Sequence, residues 1–269
     1  MNRLDDLKKQ RKHLVIYLMA GDPDIKSTEK LIYLLDKTGV SVIELGIPFS
    51  DPIADGVAIQ QAGERALKNR INLEKVLLLV KKVREKVKIP IVFMTYYNLI
   101  FNYGIKKFVD DAINSGVDGA IIPDLPFDEE KELYNYAKNK GFYLIYLVAP
   151  TNSIERAKKI VEKSIGFVYY ILVKGVTGMR KELPVDVKLL NHLKQNSEKP
   201  FFAGFGISKV SQIRDILKYF DGIIVGSAFV KILEKFSRDK KKMFEKAETF
   251  LNKFIKEVKN FEKKEKSKK

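Results

Sequence analysis

The sequence of 269 residues contains no cysteine and only two histidines. The absence of cysteine excludes disulfides, thiolate zinc sites and a cysteine nucleophile. His13 and His192 are far apart and neither has a second ligand at metal spacing, which argues against a histidine-built metal site. No apolar run reaches the about 20 residues that cross a bilayer, and the first residues carry no apolar signal-peptide core. With 45% hydrophobic residues the chain is not globally disordered, so we expect a soluble, cytoplasmic globular protein.

The chain carries 50 basic and 34 acidic side chains, and part of this excess lies at its C-terminal end. Residues 238–269 include 13 basic and six acidic side chains. Apolar residues recur there every three or four positions, which predicts a docked helix over 240–261 and a frayed basic tail over 262–269. The basic face is either a solvated helix surface or a patch for nucleic acid or membrane. Because no RNA-binding motif or basic–aromatic interleaving occurs, we expect neither a nucleic-acid nor a membrane partner.

Short, β-rich apolar runs alternate with segments of helical periodicity along the whole chain. Strands are predicted over 13–19, 41–47, 89–94, 117–123, 142–148, 166–173, 200–205 and 221–225. Helices are predicted over 27–38, 73–87, 105–115, 128–139, 154–163, 185–195 and 209–218. Nearly continuous apolar strands indicate a parallel sheet covered by helices, either doubly wound or closed into a barrel. The first strand is not followed by a glycine-rich phosphate turn. We therefore predict an α/β fold, a single (β/α)8 TIM barrel with additional helices over 1–261.

The active site of such a barrel is built from the loops at the C-terminal ends of its strands. Two of these loops are predicted to be long, over 48–72 and over about 174–184, and long loops in compact domains are usually functional. Glycines follow the seventh and eighth predicted strands, where barrels often bind phosphate, so Gly206 and Gly226 are candidate phosphate ligands. Gly178, in the loop after the sixth strand, could close the same site. Tight turns alone are the other explanation of these glycines.

Two acidic residues stand out at the second predicted strand, one within the strand and one in the loop after it. Glu44 stands in an otherwise apolar strand, where desolvation raises a carboxyl pKa unless a partner neutralises it. Asp55 is in the loop that follows, framed by Pro52 and Gly56. One buried and one loop-borne carboxylate suit separate acid and base roles, although a structural ion pair would explain Glu44 equally well.

Lys174, near the end of the sixth predicted strand, could instead form a Schiff base, as in some barrel aldolases. If Tyr169 faces the barrel interior, then Ile171 does too and Lys174 points away, because side chains alternate along a strand.

Seven segments of the chain resemble the tryptophan synthase α-subunit family, in order, across residues 14–236. They are AGDP at 20–23, ELGIPFSDPIADG at 44–56, TYYN at 95–98, PDLP at 123–126, GVTG at 175–178, GFGI at 204–207 and GSA at 226–228. The resemblance implies a (β/α)8 barrel that cleaves indole-3-glycerol phosphate to indole and glyceraldehyde 3-phosphate by a retro-aldol reaction. It implies no metal and no cofactor in this chain.

The resemblance also assigns roles to individual residues. It implies that Glu44 protonates indole C3 and helps take the glycerol hydroxyl proton, that Asp55 stabilises charge at the indole N–H, and that Tyr169 is the active-site tyrosine. The substrate-binding residues that it implies are Tyr17, Met94, Ile121, Ile122, Val148 and Phe205 for the indole ring, Gly178, Gly206, Gly226 and Ser227 for the phosphate, and Thr177 in a closing loop. For the apolar positions, ordinary barrel core is an equally good interpretation.

The same resemblance implies a partner, a pyridoxal-phosphate-dependent β subunit that receives indole through a tunnel in an α2β2 complex. It places Pro52, Ile53, Asn98 and Asp124 in or near the interface. A stand-alone lyase that releases indole, a weakly catalytic barrel that mainly activates the β subunit, and a Schiff-base aldolase remain as alternatives.

Overall fold

The computed structural model describes residues 2–7, 11–129, 131–172 and 185–267. Within them, nine parallel strands form one sheet in the order β5-β4-β3-β2-β1-β9-β8-β7-β6. The strands are β1 His13–Met19, β2 Val42–Gly46, β3 Ile91–Met94, β4 Gly119–Ile121, β5 Tyr143–Ile145, β6 Leu147–Val148, β7 Val168–Ile171, β8 Phe201–Gly204 and β9 Gly222–Val225. The two strands at the ends of this order, β5 and β6, follow each other in the chain with only Tyr146 between them. The sheet therefore closes into the predicted TIM barrel.

The sheet has nine strands rather than the predicted eight because the fifth predicted strand is divided in two. The sequence predicts one strand over 142–148, whereas the structure divides it into β5 and β6. The Tyr146 N–H leaves the ladder and donates to the Ser164 hydroxyl at 3.1 Å. The segment therefore pairs with β4 before this point and with β7 after it.

Eleven α-helices of the described residues cover the barrel or its ends. They are α1 Ile25–Thr38, α2 Val57–Lys68, α3 Leu73–Val83, α4 Tyr97–Tyr103, α5 Ile105–Ser115, α6 Lys131–Lys140, α7 Ile154–Lys163, α8 Val187–Gln195, α9 Ile213–Leu217, α10 Ser227–Phe236 and α11 Lys240–Lys266. Short 3-10 helices lie at Arg3–Asp6 and Val210–Gln212. The strands are buried on both faces, which explains their unbroken apolar sequences.

Three sequence predictions about helices need correction. The segment 48–72 is not one long loop, because it contains α2, whose buried face consists of the small residues Ala58, Ala62, Gly63 and Ala66. The short helix α4, with Ile100 as its buried residue, was also missed. The C-terminal helix does not fray after Phe261 but continues to Lys266, as its lysines and glutamates favour, and includes an ion pair between Lys266 and Glu262 at 3.3 Å.

Helix α11 packs against α1, α9 and α10, as the sequence predicts for its apolar stripe. Met243, Leu251 and Phe254 are among its buried residues. Its lysine-rich face is exposed.

Candidate active site

A cavity of about 540 Å³ opens at the C-terminal end of the barrel, where the strand-to-helix loops meet. Its described lining residues are Tyr17, Glu44, Ala54, Asp55, Gly56, Ile59, Met94, Tyr169, Ile171, Leu172, Phe205, Gly206, Ile207, Ser208, Ile224, Gly226, Ser227, Ala228 and Lys231. They come from β1, β2, β3, β7 and β9 and from the loops and helices that follow β2, β7, β8 and β9. This volume suits a small organic substrate.

Two tyrosines and a carboxyl group form the floor of this cavity. Tyr17 on β1 stands opposite Glu44 on β2 in the ladder, and Tyr169 enters from β7. Burial raises the pKa of both phenols far above the ordinary value, and the charges of Glu44 and Asp55 raise them further. Both phenols therefore stay neutral and can act as hydrogen-bond donors near the two carboxyl groups.

Glycines at two strand ends leave room for these phenols. A Cβ at Gly204 would lie 2.5 Å from Cζ of Tyr169, on the neighbouring strand. Since such an approach is sterically forbidden, a residue with any side chain there would displace the tyrosine. The glycines thus position Tyr169, and in the same way Tyr17, within the site.

Glu44 is buried, with 2% of its surface exposed, and its Oε2 has no hydrogen-bond partner among the described residues. Desolvation, with a smaller contribution from the charge of Asp55, raises the pKa of Glu44 to about 8. The side chain is therefore protonated at neutral pH. A buried carboxylic acid with a free oxygen at a cavity wall can deliver a proton to a bound ligand.

Asp55 faces the same cavity from the loop between β2 and α2. Desolvation raises its pKa to about 6, while a hydrogen bond from Tyr96 lowers it. The Tyr96 hydroxyl also accepts the Ala54 N–H at 3.2 Å, and its ring stacks on Phe49 with 5.1 Å between centroids. Tyr96 thus connects the loop to the barrel. At neutral pH Asp55 is largely ionised when Glu44 is protonated, so the pair offers one acid and one anion.

Another side of the cavity is formed by the turns after β8 and β9. Phe205 and Gly206 both have left-handed backbone conformations, with φ of 69° and 83°. The Phe205 ring contacts the Tyr169 ring edge-on, with 5.9 Å between centroids. Gly226 precedes the first residue of α10 and provides no side-chain cap, so the positive end of that helix faces the cavity. Such a helix start attracts an anionic group.

The structure brings most of the predicted site residues together. Glu44, Asp55, Tyr169, Tyr17, Met94, Phe205, Gly206, Gly226 and Ser227 line the cavity. Ile121, Ile122 and Val148 instead lie in the buried core and are not among the lining residues. Lys174, Thr177 and Gly178 lie outside the described residues.

The sequence reasoning missed several lining residues. Ile59 lies on α2, the helix that was mistaken for a loop. Ile224 is two residues before Gly226 on β9, so strand alternation could have found it. Lys231 is four residues after Ser227 on α10, and helical spacing was the available signal.

The four predicted interface residues lie beside the cavity rather than in it. A second cavity of about 430 Å³ shares Ala54, Ile171 and Phe205 with the first. A third, of about 440 Å³, shares Asp124 and Leu125 with the second and is also lined by Asn98 and Phe101. The three cavities are therefore neighbours that share walls, and they lie between the acid pair and α4.

The sequence of this chain matches the family model described as "Tryptophan synthase alpha chain" over residues 4–260. The chain belongs to the tryptophan synthase alpha chain family. The alpha chain of Petrotoga mobilis is 44% identical over 257 residues, which cover 93% of this chain and 97% of that one. The alpha chain of Methanocaldococcus jannaschii is 46% identical over 236 residues, covering 87% of this chain and 84% of that one.

Solved structures of the family have the same fold as this chain. The crystal structure of the tryptophan synthase alpha chain from Legionella pneumophila subsp. pneumophila superimposes with a TM-score of 0.87 at 33% identity, covering 97% of this chain and 98% of that one. The chain is thus a TIM-barrel lyase of the alpha family, whose reaction is the cleavage of indole-3-glycerol phosphate in tryptophan biosynthesis.

The described residues contain neither a metal-ligand cluster nor a membrane-spanning helix. No group of three or more histidine, cysteine, aspartate or glutamate side chains in them could hold a metal ion. None of the helices in the same residues has the length and apolar character that a membrane span requires.

Proposed function

We propose that Glu44 is the acid–base catalyst of the lyase reaction and that Asp55 is its electrostatic partner. The observation that carries this proposal is the pair itself: a buried acid with an unpaired Oε2 faces the same cavity as a carboxylate of lower pKa. Two titratable groups whose environments separate their pKa values are the usual basis for an acid and a base of distinct function.

The chemistry requires these two groups. Breaking the bond between indole C3 and the glycerol carbon needs a proton on C3, which Glu44 donates. The resulting positive charge spreads to the ring nitrogen, where the Asp55 carboxylate stabilises it through the N–H. The glycerol hydroxyl then returns a proton to Glu44 as its carbon becomes the aldehyde of glyceraldehyde 3-phosphate. The electron pair of the broken C–C bond restores the aromatic indole, and Glu44 is protonated again at the end of the reaction.

The rest of the cavity fits the two ends of this substrate. The rings of Tyr17, Tyr169 and Phe205 provide apolar surface for the indole, with Met94 beside them. Gly206, Gly226 and Ser227, at the turns after β8 and β9, provide the phosphate end. Ile121, Ile122 and Val148 would support this wall from the core. Thr177 and Gly178 would complete the site from the loop after β7.

A tryptophan synthase β subunit is the proposed partner, and it would bind pyridoxal phosphate, while this chain would need no cofactor. Ile53, next to Pro52 in the chain, is 81% exposed, and Phe101, one helical turn after Asn98, is 63% exposed. Asp124 supports this face by accepting the Tyr97 N–H at the start of α4, at 3.0 and 3.1 Å. The row of neighbouring cavities reaches this face, which supports delivery of indole to a partner in an α2β2 complex. A single domain and a cytoplasmic location remain predictions.

The decisive experiment is indole release from indole-3-glycerol phosphate by the purified chain, with and without a β subunit. We expect slow release alone and a many-fold increase with the partner. Glu44→Gln, which keeps the volume but removes the proton, should lower release by at least about 100-fold. Fast indole release that does not change when the β subunit is added would favour a stand-alone lyase. Unchanged turnover of Glu44→Gln would refute the acid–base assignment.

A further inference from the structure

Lys231 is the one cationic side chain among the described residues that line the active-site cavity. The other ionisable groups of that lining are Glu44, Asp55 and the two tyrosines. An ionised Asp55 repels any anion that enters the cavity. A dianionic phosphate would therefore meet unfavourable charge unless a cation compensates for it.

The position of Lys231 on α10 places it beside the predicted phosphate end. Ser227 is the first residue of α10, and Lys231 follows it by one helical turn. Side chains on a helix lean toward its N-terminus, so a residue in the second turn covers the surface of the first. The ammonium group of Lys231 is thus directed to the side of the cavity that Gly226 and Ser227 form.

Lys231 also has no ion-pair or hydrogen-bond partner among the described residues. The acidic residue one turn further along the helix, Glu234, pairs with Arg65 at 2.8 Å instead. A lysine side chain near the positive end of a helix is not stabilised by the helix dipole. Lys231 is exposed to solvent, so none of the described residues holds its ammonium group away from an anion in the cavity.

We propose that Lys231 is a binding residue for the phosphate group of the substrate and selects phosphate-bearing ligands over free indole. The inference rests on the proposed placement of the phosphate at the turns after β8 and β9. Backbone N–H groups and the helix dipole supply only partial charges there, and Lys231 adds a full one. Because the phosphate does not change in the reaction, its contribution falls mainly on KM.

Binding of glycerol 3-phosphate, an unreactive phosphate ester, tests the proposal without turnover. Lys231→Met should weaken its affinity by about tenfold and reduce the salt dependence of binding, while Lys231→Arg should stay within about threefold of the wild type. The matched control is Lys235→Met, which removes an exposed lysine one turn further along the same helix, outside the cavity. It should bind like the wild type, and indole should bind equally to all four proteins.

Three results would overturn the proposal: wild-type affinity of Lys231→Met for glycerol 3-phosphate, an equal loss in Lys235→Met, or a parallel loss of indole binding. In turnover, Lys231→Met should raise KM for indole-3-glycerol phosphate about tenfold and change kcat less than about threefold. If the wild-type chain releases no indole yet the binding pattern holds, the proposed catalytic roles fail and the assignment of Lys231 stands.

Discussion

Gly46 on β2 leaves the space that the phenol of Tyr17 on β1 occupies. A Cβ on Gly46 would overlap the hydroxyl oxygen of Tyr17 and lie 2.6 Å from its Cζ. Met19, not Tyr17, is the ladder neighbour of Gly46, so the ring leans along the strand toward the mouth of the barrel. The missing side chain of one residue thus determines where the other meets the cavity.

Gly46→Ala should therefore impair the site more than the fold. The added methyl group must displace the Tyr17 ring, and we expect indole release to fall by at least about tenfold with a loss of stability of about 1–3 kcal/mol. Steady-state kinetics and thermal unfolding would measure the two effects. Gly63→Ala on α2 is the control, because its Cβ would make an ordinary contact, 3.5 Å from the Met19 methyl group. Equal activities of the two variants would contradict this positioning role.

The fold and the acid pair could be predicted from sequence because their signals are local. Each strand is an apolar run, and Glu44 interrupts one of them. Helix α2 escaped notice because alanine and glycine form its buried face, and such small side chains give no strong apolar stripe. The end of α11 could not be located because its last residues are lysines and glutamates, which carry no stop signal before Lys266.

The remaining site residues depend on proximity that the chain does not encode locally. Lys231 has the sequence context of an ordinary exposed lysine, and only the neighbouring turns after β8 and β9 place it at the cavity. The role of Tyr96 likewise appears only when the loop after β2 returns to it, because Ala54 and Asp55 both contact its hydroxyl. Such tertiary contacts required the structure.

Tyr96→Phe should shift the pH dependence of the reaction. With Asp55 titrating at about 6 and Glu44 at about 8, the rate should be bell-shaped between these values. The Tyr96 hydrogen bond lowers the pKa of Asp55, so its loss should move the acidic limb upward by about half a unit or more. The phenylalanine ring can still stack on Phe49, which limits other damage.

A pH–rate profile of kcat/KM would measure this shift. Tyr103→Phe is the matched control, since its hydroxyl bonds to Asp111 at 2.7 Å, away from the cavity. An unmoved acidic limb in Tyr96→Phe, or an equal shift in Tyr103→Phe, would show that Tyr96 does not set the titration of Asp55.

Glu44→Gln should change how stability depends on pH. The folded-state pKa of Glu44, about 8, lies above its ordinary value of 4.5. Between these values the unfolded chain loses the proton that the folded chain keeps, so the free energy of unfolding falls as pH rises. Glutamine stays neutral at every pH and avoids this loss.

We therefore expect the melting temperature of Glu44→Gln, relative to the wild type, to be several degrees higher at about pH 8.5 than at about pH 5. Differential scanning calorimetry at the two pH values would measure it. Glu64→Gln makes the same chemical change on the exposed face of α2 and should show no such difference. A pH-independent effect of Glu44→Gln would mean that Glu44 is ionised in the folded protein.

The N-terminal end of the barrel has its own buried carboxylate, Asp118. It accepts hydrogen bonds from Arg84 at 2.7 Å, from Arg3 at 2.9 Å and from the Ile91 N–H at 2.8 Å. Burial lowers the pKa of Arg84 to about 10, against the charge of Asp118, which raises it. Asp118 thus compensates a buried cation and fixes the start of β3.

Asp118→Ala should destabilise the protein by about 3–5 kcal/mol, because it leaves the Arg84 charge and the Ile91 N–H without their partner. Chemical denaturation would measure this loss. Asp128→Ala removes an exposed carboxylate that pairs with Arg156 at 3.3 Å, and it should cost less than about 1 kcal/mol. The protein that remains folded should keep its activity in both variants, since neither aspartate lines the active-site cavity. If both variants lose a similarly small amount of stability, Asp118 contributes no more to the free energy of unfolding than a surface ion pair, despite its burial.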